Sequence, residues 1–269
     1  MTTISSKGIA VVTGASAGIG AVYADRLARR GYDLILVARN KSKLAEVATR
    51  IAGSTGRVVD IVAADLGDKA DLARIEKLLA TDAGITMLVN NAGVGALAPL
   101  LQSDVDDMET MIDLNVTALT RLTYAIVPVF AARGGGAIIN ISSAVAIAPE
   151  ILNGVYGATK AFVLALSLSL HKELAGKNVR IQAVLPGATA TNFWGAAGGS
   201  VEQLPEKTVM RADELVDAAL AGFDQGELVT IPSLPEAADW DVYEAARQRL
   251  VPNLSLSAKT KRYGVPVAA

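Results

Sequence analysis

Seven short runs rich in β-branched and other apolar residues, separated by longer stretches with helical spacing, constrain this chain more than any other feature. The runs lie at 9–13, 34–37, 58–63, 87–90, 137–141, 180–185 and 228–231. Helical patterns fill 18–30, 41–53, 68–82, 104–133, 154–175 and 211–222. Several runs are apolar throughout, without alternation, as expected of strands buried on both faces of a parallel sheet. Strand and helix in turn require right-handed crossovers. The expected fold is therefore α/β, a doubly wound, mostly parallel sheet with helices on both faces. Two helix starts carry capping residues: Asp68 with Asp71, and Ser103 with Asp106. The chain reads as one domain over 1–269. Its additions are an irregular, glycine-rich segment near 188–210 and an extension near 235–269 that contains a final helix at 236–250.

The formal net charge of −2 gives no reason to expect nucleic acid or an anionic membrane as a partner, since both need a basic excess. With no cysteine there are no disulfides, thiolate metal sites or cysteine nucleophiles, which fits a cytoplasmic protein. One histidine, His171, argues against a His-based zinc site. The first residues reach the first apolar run without a long signal-peptide core. No apolar stretch approaches the roughly 18 residues of a membrane span. The longest, at 161–170, is interrupted by serines. A soluble protein with no membrane partner is expected.

The first run leads straight into Thr13-Gly14-Ala15-Ser16-Ala17-Gly18-Ile19-Gly20, where a helix begins. Glycines there allow a tight turn and let the backbone approach a pyrophosphate seated on the helix N-terminus. An NAD site usually carries an acidic residue at the end of the second strand. Here that place holds Ala38, followed by Arg39, and a guanidinium favours a 2′-phosphate. NADP(H) is therefore expected, with NAD(H) as the alternative.

Tyr156 and Lys160 lie four apart at the start of a helical segment and so share one face. A free tyrosine has a pKa near 10, a handicap of about 4 kcal/mol for a base at pH 7. A neighbouring ammonium can lower that pKa. Ser142-Ser143 ends the preceding strand, at the sheet edge where ligands bind in such folds.

Taken in order, Thr13-Gly14 to Gly18-Ile19-Gly20, Asp65-Leu66, Asn90-Asn91-Ala92-Gly93, Asn115, Ser143, Tyr156 with Lys160, and Pro186-Gly187 with Thr191 resemble the short-chain dehydrogenase/reductase family over roughly residues 8–191. The resemblance implies a Rossmann-type, seven-stranded sheet in the order 3-2-1-4-5-6-7 and an NADP(H)-dependent interconversion of carbonyl and alcohol without a metal. It implies that Tyr156 exchanges the proton with the substrate oxygen, that Lys160 lowers the tyrosine pKa and bonds the nicotinamide ribose, and that Ser143 holds the substrate oxygen. Asn115 would anchor a water in a proton relay through Lys160. Gly14, Ser16, Gly18, Ile19, Gly20 and Arg39 would hold the cofactor's phosphates. Asp65 and Leu66 would flank the adenine, and Asn91, Ala92 and Gly93 would line the adenosine side. Pro186, Gly187 and Thr191 would close on the nicotinamide and its phosphate. Many NADP-preferring members carry a basic residue where this chain has Ala17, so Arg39 argues alone for the phosphate.

Phe193 and Trp194 follow Thr191 in the segment that the family uses as a substrate lid, where they form either a pocket wall or lid packing. His171 lies fifteen residues beyond Tyr156, roughly 22 Å along a helix, and reads as a surface or packing residue. Trp240 and Tyr243 read as packing residues of the final helix. The resemblance also implies a homodimer or homotetramer, formed through the long helices near 104–133 and 154–175. Two other readings remain: a 3-oxoacyl thioester reductase, which would need a basic patch beside the lid, and a non-catalytic dinucleotide sensor on the same fold. The lid offers Lys207 and Arg211 opposed by Glu202 and Glu206.

Overall fold

In β1 (Ile9–Thr13), Ala10 and Val12 enter one apolar core while Val11 enters another, and the same split runs through the sheet. In β2 (Asp33–Ala38), Leu34 and Leu36 join the first core and Ile35 and Val37 the second. With both faces buried, neither strand has a polar side to alternate with its apolar one. The computed structural model describes residues 7–264. They divide into two compact units, one ending at Pro232 and one beginning at Ser233.

The first unit completes its sheet with β3 (Val59–Ala63), β4 (Ile85–Asn90), β5 (Gly136–Ile141), β6 (Val179–Val184) and β7 (Val229–Thr230). Every pairing in it is parallel, and the order is β3-β2-β1-β4-β5-β6-β7, as expected from the sequence. The helices α1 (Gly18–Arg29), α2 (Lys41–Thr55) and α6 (Ala212–Gln225) supply the core on one face. On the other face lie α3 (Lys69–Thr81), α4 (Val105–Ala132) and α5 (Gly154–Glu173). The order reverses beside β1, so the ends of β1 and β4 form the crevice where such sheets bind ligands.

Two expectations need correction. At 28 residues, α4 is long and apolar enough to cross a membrane by length and composition, against the expectation that no stretch comes near a span. Its Ala118, Leu122, Ile126 and Phe130 pack into the second core, so an apolar composition also serves sheet packing. The cap of α4 is Asp104, whose carboxylate accepts from Asp106 N at 2.8 Å, and not Ser103. Ser103 Oγ instead donates to the Ala98 and Pro99 carbonyls, 3.0 Å each, while Asp104 stands one residue nearer the first free amides. Asp68 caps α3 as expected, accepting from Ala70 N and Asp71 N.

The glycine-rich segment near 188–210 is closed at its base by a two-residue parallel ladder, Thr189–Ala190 with Met210–Arg211. In the second unit, α7 (Ala237–Leu250) has no buried residue. Trp240 and Tyr243 pack on each other there, ring centres 5.3 Å apart.

Candidate active site

The turn after β1 is held from below by the end of β4. Thr13 Oγ1 accepts from Asn91 N (2.9 Å) and Ala92 N (3.0 Å) and donates to Val89 O (3.2 Å). Asn91 Nδ2 in turn donates to Thr13 O (2.9 Å) and Gly14 O (3.3 Å). Gly14 and Gly18 both have positive φ, 66° and 54°, a conformation that side chains disfavour. A Cβ on Gly20 would lie 2.5 Å from both Asn91 Nδ2 and Gly14 O. Gly20→Ala is therefore expected to lower stability by about 1–3 kcal/mol through overpacking and to weaken dinucleotide binding. Thermal melting and NADPH titration of the variant check this, and wild-type values in both would refute it.

These residues suit a pyrophosphate. The helices α2 to α5 each begin with a capping side chain, from Asn40, Asp68, Asp104 and Asn153. By contrast, α1 begins at Ala17 with none, so its first amides keep their donors for an anion. Ser16 and Ile19 are half-buried beside it. The loop after β6 closes from the other side: a Cβ on Gly18 would meet Thr191 Cγ2 at 3.2 Å. Pro186 O accepts from Ala144 N (2.8 Å), and Gly187 O accepts from Thr189 Oγ1 (3.1 Å), which fixes this loop against β5.

Arg39 stands just past β2, exposed, with no hydrogen bond or ion pair among the described residues. Asp65, past β3, is engaged locally: Oδ1 accepts from Gly67 N (3.0 Å) and its amide donates to Asp71 Oδ2 (2.8 Å). The Leu66 side chain is buried in the second core. Arg39, Asp65 and the glycine turn share one edge of the sheet, because Val37 pairs with Thr13 and Ala38 with Ala63.

The residues expected to exchange the proton come together one strand further along. Asn153 caps α5, accepting from Val155 N and Tyr156 N, and its Nδ2 donates to Ala98 O (2.6 Å). Tyr156 and Lys160 are both buried on that helix, with Lys160 Nζ 5.8 Å from the tyrosine ring centre. Lys160 Nζ donates to Ile141 O (3.0 Å), and Ser142 Oγ donates to Lys160 O (2.7 Å). Ser142 is thus committed to fastening the helix to β5. Ser143 is the serine beside the phenol, its Oγ donating to Pro186 O at 3.4 Å. Asn115 sits in a π-helical turn, Asp113–Ala118, inside α4, a kind of bulge often found at functional sites. Its Oδ1 accepts from Val94 N (2.9 Å), and its Nδ2 donates to Val94 O (2.8 Å) and Thr159 Oγ1 (3.1 Å). A Cβ on Gly93 would lie 3.0 Å from Asn115 Oδ1 and 3.5 Å from Lys160 Nζ, so the three residues converge.

Burial dominates the electrostatics. It pushes the Tyr156 phenol up to about 12, with the Ser143 hydroxyl pulling the other way. It pulls the Lys160 ammonium down to about 8. The expected lowering of Tyr156 by Lys160 is not found: desolvation raises the phenol, and the Ser143 hydroxyl is the neighbour that opposes it.

Phe193 and Trp194 divide the two roles considered for them. Phe193 faces Tyr156, ring centres 5.7 Å apart, while Trp194 is buried and its Nε1 donates to Thr189 O (2.9 Å). Val145 and the partly buried Val94, Leu152 and Val155 gather round Tyr156 with Phe193. His171 is exposed on α5. Asn153 and Gly95 escaped the sequence reading. The first was visible as a capping residue before Gly154, whereas the second depends on a contact about a hundred residues away. Among the described residues, no group of three or more His, Asp or Glu side chains is placed to hold a metal ion.

A family model for short chain dehydrogenases matches residues 8–199. A short-chain dehydrogenase from Sphingobium yanoikuyae, solved in complex with NADPH, is 50% identical with a TM-score of 0.92, over 95% of this chain and 100% of that one. A bulky-bulky ketone specific alcohol dehydrogenase from Comamonas testosteroni is 44% identical with a TM-score of 0.87, over 95% and 98%. A very-long-chain 3-oxoacyl-CoA reductase from Anas platyrhynchos is 35% identical over 207 residues, 76% of this chain and 66% of that protein. The chain spans 59% of the length of two further curated relatives.

Proposed function

Since this chain belongs to the short-chain dehydrogenase/reductase family, we propose that it is an NADP(H)-dependent oxidoreductase interconverting a carbonyl and an alcohol, with Tyr156 as its general acid/base. The observation that carries this reading is the convergence of Tyr156, Ser143 and Lys160 at the carboxyl edge of the sheet, next to the glycine turn. Because burial holds the Tyr156 phenol near 12, it keeps its proton at neutral pH, the form a proton donor needs. When bound, the nicotinamide supplies the hydride for reduction and accepts it in oxidation. Tyr156 Oη gives its proton to the substrate oxygen, beside the Ser143 hydroxyl. The Lys160 ammonium stabilises the phenolate left behind, and its pKa near 8 suits it to pass a proton back. Asn115 ties Val94 to Thr159, the residue next to Lys160.

The apolar side chains round Tyr156 suit a ketone with apolar substituents, and the ketone-specific Comamonas relative supports that class. A second reading, a 3-oxoacyl thioester substrate, is favoured by the reductase from Anas platyrhynchos. Against the carrier-bound form of that substrate, Arg211 is paired with Asp213 at 2.6 Å, which reduces the basic charge on the lid for an acidic carrier protein. Turnover of an aryl ketone and of a 3-oxoacyl-CoA, measured side by side with NADPH, separates the two.

Fluorescence titration of NADPH and NADH tests the cofactor assignment. Losing one charge-assisted contact, Arg39→Ala is expected to weaken NADPH binding by about 10- to 100-fold and to leave NADH unchanged. Equal affinities in the wild type, or no effect of the substitution, would move the assignment to NAD(H) or away from Arg39. We further propose a cytoplasmic homodimer or homotetramer that acts on small molecules and binds neither nucleic acid nor membrane. The absence of cysteine supports the compartment, the net charge of −2 the lack of a nucleic-acid or anionic-membrane partner, and the family resemblance the oligomer. Cell fractionation and light scattering are the tests.

A further inference from the structure

Trp194 anchors the start of the lid. It is buried, and its indole N–H is fixed on the Thr189 carbonyl. This leaves its neighbour Phe193 edge-on to the indole, ring centres 5.7 Å apart, and facing Tyr156 at the same centre-to-centre distance with the planes at 44°. The far end of the Phe193 ring rests on Gly95, where any Cβ would overlap Phe193 Cζ and lie 2.7 Å from Cε2. Leu97 N donates to Ala197 O at 3.1 Å, so the chain after β4 and the chain after Trp194 are fastened together just beyond this contact. The ring is thus held between a glycine seat, a buried indole and the acid/base tyrosine.

A substrate oxygen must come within about 2.6–3.2 Å of Tyr156 Oη to exchange a proton. Phe193 packs beside the ring that bears this hydroxyl, which puts it within reach of a substituent on the same carbonyl. An aromatic face in that position favours a flat, π-bearing substituent over a puckered aliphatic one of equal size. We infer that Phe193, seated on Gly95, is a specificity-determining residue that selects ketones carrying an aryl or similarly flat conjugated group. The inference rests on the carbonyl–alcohol activity proposed above. It concerns only which carbonyl is accepted and leaves the proton and hydride steps as described.

Acetophenone and cyclohexyl methyl ketone have the same number of heavy atoms and differ in the flatness of the ring, so their kcat/KM ratio with NADPH reads the preference. Phe193→Ala and Phe193→Leu should each lower the acetophenone ratio by roughly 2- to 10-fold relative to the wild type, the range of an aromatic pair beyond its buried area. Gly95→Ala should shift the ratio the same way by dislodging the ring. Benzamide and cyclohexanecarboxamide, which are not reduced, report the same selection as inhibition constants free of intrinsic carbonyl reactivity. An NADPH affinity like that of the wild type shows that each variant is folded at the cofactor site. Ratios unchanged in Phe193→Leu and Gly95→Ala, with NADPH bound normally, would overturn the role of Phe193 while leaving the activity standing. A wild type that binds NADPH and reduces neither ketone would overturn the activity and this inference with it.

Discussion

Tyr156→Phe is expected to lower kcat for ketone reduction by about 10²- to 10⁴-fold, the usual contribution of a positioned proton donor. The substitution removes one buried hydroxyl and keeps the ring, so the packing against Phe193, Val145 and Leu152 survives. Binding of NADPH should therefore stay close to that of the wild type, because the glycine turn, Arg39 and Thr191 are untouched. Steady-state reduction and a fluorescence titration on the same preparation separate the two effects. If the variant turned over at the wild-type rate, Tyr156 would not be the acid/base. A wild type that bound NADPH tightly and reduced no carbonyl would point instead to a nucleotide sensor that kept the fold.

What the sequence disclosed, and what it withheld, follows from the range of the interactions involved. The parallel, doubly wound sheet was legible because β1, β2 and their neighbours are apolar on both faces and a helix follows each strand, whereas the strand order came from the family resemblance. The glycine turn was legible because Gly14 and Gly18 take a positive φ and Gly20 has no room beside Gly14 O, local demands that leave a mark at fixed spacing. The pairing of Tyr156 with Lys160 is likewise local, a matter of helical periodicity. The cap of α4 was misplaced by one residue because Ser103 and Asp104 are both competent caps. Only the contacts of Ser103 with Ala98, Pro99 and Asn153 reveal that it is already committed.

Longer-range features were not legible. The seat of Phe193 on Gly95 and the reach of Asn153 to Ala98 depend on loops meeting after the sheet has formed. The direction of the tyrosine shift was hidden for a related reason. Sequence spacing reveals that an ammonium is near the phenol, but not how deeply both are buried, and burial is the larger influence on each. The apolar character of α4 was diluted in the sequence by Asp113 and Arg121. In the structure its length runs unbroken through the π turn from Val105 to Ala132.

Burial of Lys160 carries a consequence for stability opposite to its consequence for activity. Its pKa falls from 10.5 to about 8 on folding because the ammonium is desolvated. Below pH 8 the lysine is protonated in both folded and unfolded chains, so the folded enzyme bears the full burial penalty, about 3 kcal/mol at 1.36 kcal/mol per pKa unit. Between pH 8 and 10.5 the folded state releases the proton first, so stability contributed by this group rises with pH across that window. Lys160→Met keeps the length of the side chain, removes the charge and leaves the Ile141 carbonyl without its donor, at a cost of about 1–3 kcal/mol. The cofactor-free variant is accordingly expected to be no less stable than the wild type at pH 7, gaining up to about 2 kcal/mol, a rise in Tm of up to roughly 8 °C for a domain of this size. Its stability should also lose the increase between pH 8 and 10.5. Turnover should fall by about 10²-fold or more, because the Ser143 hydroxyl alone then stabilises the Tyr156 phenolate and no ammonium returns the proton. Calorimetry at pH 7 and pH 9.5, paired with ketone reduction at pH 7, reads all three effects. A variant less stable than the wild type at both pH values would mean that Lys160 contributes to folding and is not tolerated for catalysis alone.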